Sequence, residues 1–398
     1  MKKLAVLYSG DSRGLNGAAL YVDRFRKFKS AFKSAGIRTI ICDSNKISAD
    51  AKSDRDVIEI ETAYANSRTH HMKNRIKRLL SNTYFGSKIF IYYAWEKPGE
   101  KSVKKNLSKI RDADVILAND LYCAYHALKQ FPDKDLYFVM HNSGVLLKML
   151  LDRLPAIKGR KKEKKLKRVE AWIFKRAKGI LFVSRKARDT FIHDFPQHEP
   201  KAHYVPEGIE DIEHIPDLDF SKVNFICVGT VCDRKNQLEL IKAFEQYKNS
   251  EISLTIVGGG SQLEECKSYV KAHHIKQIDF AGSVKNSDVP SYLAKSNVFV
   301  LASKDEGLPA VGIEALRSGL PILITDVGGC AELVQSNGVV LSGTNQKSII
   351  QGMESIVSKQ EQLPEMSRNS RLRYEREFSI EAMVQAYKKI LVDEEYGA

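Results

Sequence analysis

No stretch of these 398 residues reaches the eighteen or so uninterrupted apolar positions of a membrane-spanning helix, which argues against a helical membrane protein. The six cysteines, Cys42, Cys123, Cys227, Cys232, Cys266 and Cys330, form no paired C-x-x-C arrangement. Cys227 and Cys232 lack two further ligands nearby, so a zinc site is not expected. A reducing, cytoplasmic setting suits such cysteine usage. The N-terminus, M-K-K-L-A-V-L-Y-S-G-D, meets Asp11 and Arg13 too early for a secretory signal and reads as a first strand instead. After that strand comes S-G-D-S-R-G-L-N-G, which is not the G-x-G-x-x-G of dinucleotide sites. The D-x-D-like run Asp112-Ala113-Asp114 punctuates a helix-to-strand junction and is not read as a metal site. Basic motifs interleaved with aromatics are missing too, which counts against nucleic acid as a partner.

What is present is an uneven distribution of charge. The net charge is +14, yet residues 1–205 carry 43 Lys and Arg against 21 Asp and Glu, while the remainder carries 20 against 28. Such asymmetry points to an anionic partner for the N-terminal half. Three basic stretches supply much of it: Arg68 to Arg78, Lys97 to Arg111 and Arg160 to Arg168. An interfacial surface against an anionic membrane, or a polyanion-binding surface, is the expected use of these runs, and a solvated face is the bland one.

Short apolar runs alternate with amphipathic segments throughout. Leu4 to Tyr8, Arg38 to Cys42, Ile89 to Tyr93, Val115 to Ala118, Leu136 to Met140 and Gly179 to Val183 read as buried strands, with a helix over Val22 to Ala35. This is the pattern of a doubly wound parallel α/β sheet, whose ligands bind beyond the carboxyl ends of the strands. The acidic, proline-containing run from Glu207 to Asp219 marks a boundary between residues 1–205 and a second domain, 206–378. Residues 379–398 form a terminal helix with Ser379 as its N-cap.

The most informative stretch runs from Val298 to Gly329. A buried strand is followed by the loop Ser303 to Gly307, a helix opened by Pro309, and a second strand from Ile322. Glu306 stands in the loop and Glu314 inside an otherwise small and apolar helix, where a carboxylate needs a partner. The helix start favours anions. Arg234 and Lys235 sit at the entrance of another helix, after the strand V-N-F-I-C-V, a strong place to hold a diphosphate.

Glu306 and Glu314 with E-G-L-P and the closing D-V-G-G resemble the signature of retaining glycosyltransferases of family 4. H-Y-V-P-E-G-I-E resembles the family's interdomain segment, with Glu207 replacing the usual Asn. The resemblance implies a GT-B fold: two doubly wound, Rossmann-like domains facing a central cleft, with the C-terminal helix crossing back to the first. It implies that Glu306 holds the transferred sugar's hydroxyls, Glu314 the ribose, and Arg234 with Lys235 the diphosphate. Gly307, Leu308 and Pro309 frame the donor, backbone at Ser283 and Val284 meets the base, and Gly17 belongs to a glycine-bearing loop near the diphosphate. His141, just past a strand end in F-V-M-H-N-S-G-V, matches the histidine near the donor sugar. One departure stands out: Thr230 occupies the place of the family's arginine, so Arg234 is expected to supply the missing charge.

The implied reaction is retaining glycosyl transfer from a UDP-sugar without a metal or other cofactor. The implied acceptor is an envelope polysaccharide, wall polymer or lipid-linked glycan, reached by a cytoplasmic protein that is peripheral at the membrane's inner face. Thr230 keeps a second reading open, a non-catalytic partner subunit that binds acceptor. UDP-glucose, UDP-N-acetylglucosamine and UDP-galactose are the expected donors, in that order.

Overall fold

The computed structural model describes residues 1–12, 17–44, 83–141 and 146–393. The basic run from Arg68 to Arg78 and the loop residue Gly14 lie outside the described residues. The chain forms two compact units, Met1–Val205 with Val384–Ala398, and Pro206–Met383. Among the described residues no helix is long and apolar enough to cross a membrane.

Among the described residues of the first unit, six strands form one parallel sheet: β1 (Lys2–Leu7), β2 (Ile37–Cys42), β3 (Val115–Ala118), β4 (Asp135–Met140), β5 (Gly179–Phe182) and β6 (Ala202–Tyr204), in the order β2-β1-β3-β4-β5-β6. Alternate residues of each strand point to opposite faces. Ala5 and Leu7 of β1 join Ile116, Phe138 and Ile180 in one buried cluster, while Leu4 and Val6 are buried on the other side. Burial on both faces produces the continuous apolar runs seen in the sequence. Asp120 fixes the sheet's carboxyl edge by capping the next helix at Cys123 N (2.8 Å) and accepting from Ser9 N (2.8 Å).

Two expectations for this unit are corrected. The segment from Val22 to Ala35 is not one helix but two, Gly17–Lys27 and Lys29–Ser34, parted at Phe28. More importantly, Ile89 to Tyr93 is not a strand. It belongs to a helical run comprising Tyr84–Ile91, a π-turn over Tyr92–Glu96, and Lys97–Lys105. Thr83 Oγ1 caps its start by accepting from Gly86 N at 3.0 Å. A short apolar run does not by itself distinguish strand from helix, and here the cap and the inward-facing residues on either side decide.

The second unit also has one parallel sheet: β7 (Val223–Val228), β8 (Ile252–Val257), β9 (Ile278–Gly282), β10 (Val298–Leu301), β11 (Ile322–Thr325) and β12 (Gly338–Leu341), in the order β12-β11-β10-β7-β8-β9. Chain order runs outward in one direction from β7 and in the other from β10, so the winding reverses between these two neighbours. Phe225 and Cys227 face the helices Gln237–Tyr247 and Gln346–Val357, whereas Ile226 and Val228 face the helix Ala310–Arg317. A doubly wound sheet opens a crevice beyond its strands' carboxyl ends where the winding reverses.

Candidate functional site

That crevice holds the residues singled out in the second half of the sequence. β7 ends at Val228 and leads into the 3₁₀ turn Asp233–Lys235; β10 ends at Leu301 and leads into the loop carrying Glu306. Lys235 Nζ lies 2.7 Å from Glu306 Oε1, and Arg234 Nη1 lies 3.0 Å from Oε2, so each carboxylate oxygen faces its own cation. The Lys235 and Glu306 side chains are about nine-tenths buried, whereas that of Arg234 is 46% exposed. Burial pushes the Glu306 carboxyl up, but the charge and hydrogen bond of Lys235, aided by Arg234, more than offset it and hold the carboxyl below its ordinary value.

Several ties keep the two loops in register. Arg234 Nη1 donates to Asp305 O at 2.7 Å, Lys304 N donates to Arg234 O at 2.8 Å, and Lys304 Nζ pairs with Asp233 at 2.6 Å. Asn236, with φ of 63°, places a buried side chain between them, and its Nδ2 donates to Ala302 O (3.0 Å) and Thr344 O (2.8 Å). Asparagine is among the few non-glycine residues that tolerate this left-handed conformation. Asn236 was not singled out from sequence; a K-N pair between a strand and a helix is the signal that could have found it.

The D-V-G-G turn acts on the same loop. A Cβ on Gly328, whose φ is +52°, would stand 1.9 Å from Glu306 O, and Gly329 N donates to Gly307 O at 2.6 Å. The glycines thus let the turn after β11 press on the backbone of Glu306. Pro309 is the N-cap of helix Ala310–Arg317, Leu308 and Pro309 are buried, and Glu314 is half-buried in the helix's second turn. Ser283 and Val284 follow β9 on the same carboxyl edge, where Ser283 Oγ lies against Gly259. Thr230 is exposed, and among the described residues its backbone carbonyl alone is engaged, accepting from Gln237 Nε2 at 3.1 Å. The cation facing Glu306 beside Lys235 is therefore Arg234.

The first unit has its own cluster at the carboxyl ends of β1, β3 and β4. His141 follows β4; its Nε2 is 3.0 Å from Asn119 Oδ1, and its ring meets Tyr21 edge-on at 4.8 Å. Asn119 Nδ2 donates to Leu7 O at 3.2 Å, which fixes the amide orientation and turns Oδ1 toward the imidazole. Nε2 must then carry the proton and donate, leaving Nδ1 with its lone pair. Burial, with Arg24 nearby, pulls the imidazole down to about 4, so the ring is neutral at physiological pH. Gly17 begins the helix that carries Tyr21. Neither Asn119 nor Tyr21 was anticipated from sequence.

Comparison with known proteins connects the two halves. The family described as Glycosyltransferase Family 4 matches residues 31–212, and that described as Glycosyl transferases group 1 matches residues 210–373. The O-antigen biosynthesis glycosyltransferase WbnH of Escherichia coli is 35% identical over 146 residues, covering 36% of this chain and 40% of that protein. A GDP-mannose-dependent phosphatidylinositol monomannoside mannosyltransferase of Mycobacterium tuberculosis is 28% identical over 189 residues, covering 41% and 48%. The alignments thus span less than half the length of these relatives. HepE of Anabaena, solved in complex with UDP, superposes with a TM-score of 0.69 at 16% identity, over 99% of this chain and all of that one. At that identity the likeness concerns fold, and the shared fold is the GT-B architecture of two Rossmann-like sheets. Matched in each half and carrying that architecture, this chain belongs to glycosyltransferase family 4.

Proposed function

We propose that the protein is a retaining, metal-independent glycosyltransferase that moves a sugar from a UDP-sugar to an envelope polysaccharide, wall polymer or lipid-linked glycan. The observation that carries this reading is the placement of Arg234, Lys235 and Glu306 where the winding of the second sheet reverses. Two cations at a helix entrance suit a departing diphosphate, and a buried carboxylate beside them suits sugar hydroxyls. Lys235 and Arg234 carry the neutralising charge that a metal carries in other transferases. Glu314 is assigned the ribose, backbone at Ser283 and Val284 the base, and His141, neutral, the donor sugar. HepE, solved with UDP and with UDP-glucose, supports the choice of uridine; the mannosyltransferase's name makes GDP-mannose the competing donor. WbnH, an O-antigen biosynthesis enzyme, supports an envelope acceptor.

In the proposed step the acceptor oxygen attacks the anomeric carbon on the face the diphosphate leaves. The C–O bond to phosphate breaks, and the acceptor's proton passes to the departing phosphate oxygen. The protein works on the cytoplasmic side of the membrane, with the basic first unit in peripheral contact with it.

Screening UDP- and GDP-sugars for nucleotide release, with and without envelope glycans or lipid-linked acceptors and with and without a chelator, tests the reading. Release from one UDP-sugar, stimulated by acceptor and indifferent to chelator, with the anomeric configuration kept in the product, is expected. Absence of turnover with every donor, while acceptor still binds, would favour a non-catalytic partner subunit.

A further inference from the structure

Helix Leu263–Ala272 of the second unit ends in a Schellman turn, in which Ile275 N donates to Val270 O at 3.1 Å and His274 N to Lys271 O at 3.3 Å. The turn holds His274 at a φ of 52°, where glycine is the usual residue, and brings Ile275 onto the side of Val270. The chain then enters β9, whose Phe280 packs on the same buried cluster as Val270 and Ile275. These three half-buried side chains floor an open groove of about 360 Å³. Lys267, Lys271, His274 and Lys276 form its walls.

The charge of this groove runs against its surroundings. The second half of the chain carries more acid than base, yet Cys266 to Ile278 contains three lysines, two histidines and no carboxylate. Lys267 pairs with Glu264 at 3.1 Å, while among the described residues Lys271 and Lys276 pair with no acid. Asp279 follows in β9, one residue before Phe280, and alternation puts it on the opposite face of the strand.

The groove also lies along a free edge. β9 is the last strand of its sheet, and among the described residues it pairs with β8 alone, with a bulge at Ala281. Lysines and a bulge are means by which sheets keep an edge from pairing with its own kind. They repel a second copy of this edge and attract an acidic strand.

We infer that the free edge of β9, with the groove beside it, is a docking surface for an extended acidic segment of a partner protein. The segment adds to β9 as a further strand, and its alternate side chains face the groove. Charge complementarity and the apolar floor select acid, apolar, acid at those alternate positions. The apolar residue covers Val270, Ile275 and Phe280, and the flanking carboxylates meet Lys271 and Lys276. The positions between lie on the Asp279 side and suit uncharged polar residues. A phosphate polymer would satisfy the lysines and leave the apolar floor uncovered. Lys276 and the groove stand at the amino end of β9, whereas Ser283 and Val284 follow its carboxyl end. The inference therefore goes beyond the donor site and does not depend on it.

Fluorescence anisotropy of the full chain with a labelled peptide of core Glu-Thr-Ile-Thr-Glu tests it. That peptide is expected to bind about tenfold tighter than its Lys-Thr-Ile-Thr-Lys counterpart, and Lys271→Glu/Lys276→Glu should lose about tenfold for it. N-methylation of the three central amides removes the bonds to the strand edge and should cost about tenfold as well. Unchanged thermal midpoints and unchanged nucleotide release would show that the variant is folded and its donor site intact. No binding of the acidic peptide overturns the inference, as does equal binding of the basic one or indifference to the two lysine substitutions. Indifference to N-methylation reduces the contact to charge alone and overturns strand addition. Anionic vesicles or a wild-type dimer that depend on Lys271 and Lys276, with the peptide unbound, would give the groove to a lipid or to a second copy and overturn it too.

Discussion

Lys235 Nζ and Glu306 Oε1 lie 2.7 Å apart with both side chains about nine-tenths buried, joining the loop after β7 to the loop after β10. A pair so placed is held by geometry more than by net attraction, because desolvation cancels much of the Coulomb gain. Removing one partner is another matter. Glu306→Ala leaves Lys235 buried without its carboxylate and is expected to cost about 3 kcal/mol in urea unfolding. Adding Lys235→Met should recover part of that loss, and strictly additive losses in the double-mutant cycle would contradict the pairing.

The same pair sets a pH dependence. The Glu306 carboxyl is held below its ordinary value, so its contribution to stability is complete above the ordinary glutamate range and is lost as pH falls through the lowered value. The stability gap between wild type and Glu306→Gln should therefore be constant near neutrality and shrink on the acid side. A gap that widened on acidification would show that the carboxyl is raised instead.

Arg234, and not Thr230, stands beside Lys235 against Glu306. Being 46% exposed, it contributes little to stability, so Arg234→Ala should shift the unfolding midpoint only slightly. Its expected effect falls on transfer: a loss of about tenfold to a hundredfold in kcat/KM, with Lys235→Ala losing more. Arg234→Thr combined with Thr230→Arg should regain part of the rate, since an arginine at 230 would enter the crevice from the end of the same strand. A wild-type rate in Arg234→Ala would remove it from the site.

What could be read from sequence divides along physical lines. β3 matches its expected residues and β10 was anticipated with one residue too many, because burial on both faces writes a continuous apolar run that needs no partner to be noticed. Lys235 and Glu306 stood out because charge at a strand's end is costly without a use. Asn236 and Asn119 did not, since an asparagine's role depends on which carbonyls lie beside it, and those come from distant segments: Thr344 for one, Leu7 for the other. Ile89 to Tyr93 misled for a related reason. The residues that make it helical, Thr83 at the cap and Gly99 against Tyr122, lie outside the apolar run itself.

His141 gives a second titration. With its imidazole pulled down to about 4 from an ordinary value of 6.5, the neutral ring favours the fold above pH 6.5, and that contribution is lost as pH falls toward 4. Because the ring keeps partial solvent contact, the loss should be on the order of 2 kcal/mol, below what the whole shift would give. Imidazole titration by NMR checks both points. Asn119→Asp places a carboxylate where Oδ1 now accepts from Nε2, and should raise the His141 value by a unit or more. An unchanged value in that variant would show that Asn119 does not face the ring.

The last helix, Ile380–Leu391, supplies Tyr387 to the core of the first unit. Its hydroxyl meets that of Tyr21 at 2.6 Å, and its ring packs edge-on against Phe25 (5.1 Å) and Phe32 (6.0 Å), which stack on each other at 4.7 Å. Two contributions can be separated by substitution. Tyr387→Phe keeps the ring and loses one hydrogen bond, an expected cost of about 1 kcal/mol. Tyr387→Ala empties a site enclosed by aromatic rings and should cost about 3–5 kcal/mol. Tyr21 also packs on His141, so Tyr387→Ala should alter the imidazole titration as well, while Tyr387→Phe should leave it nearly unchanged. Equal costs for the two variants would place the stabilisation in the hydroxyl pair, and the ring contacts would then contribute little.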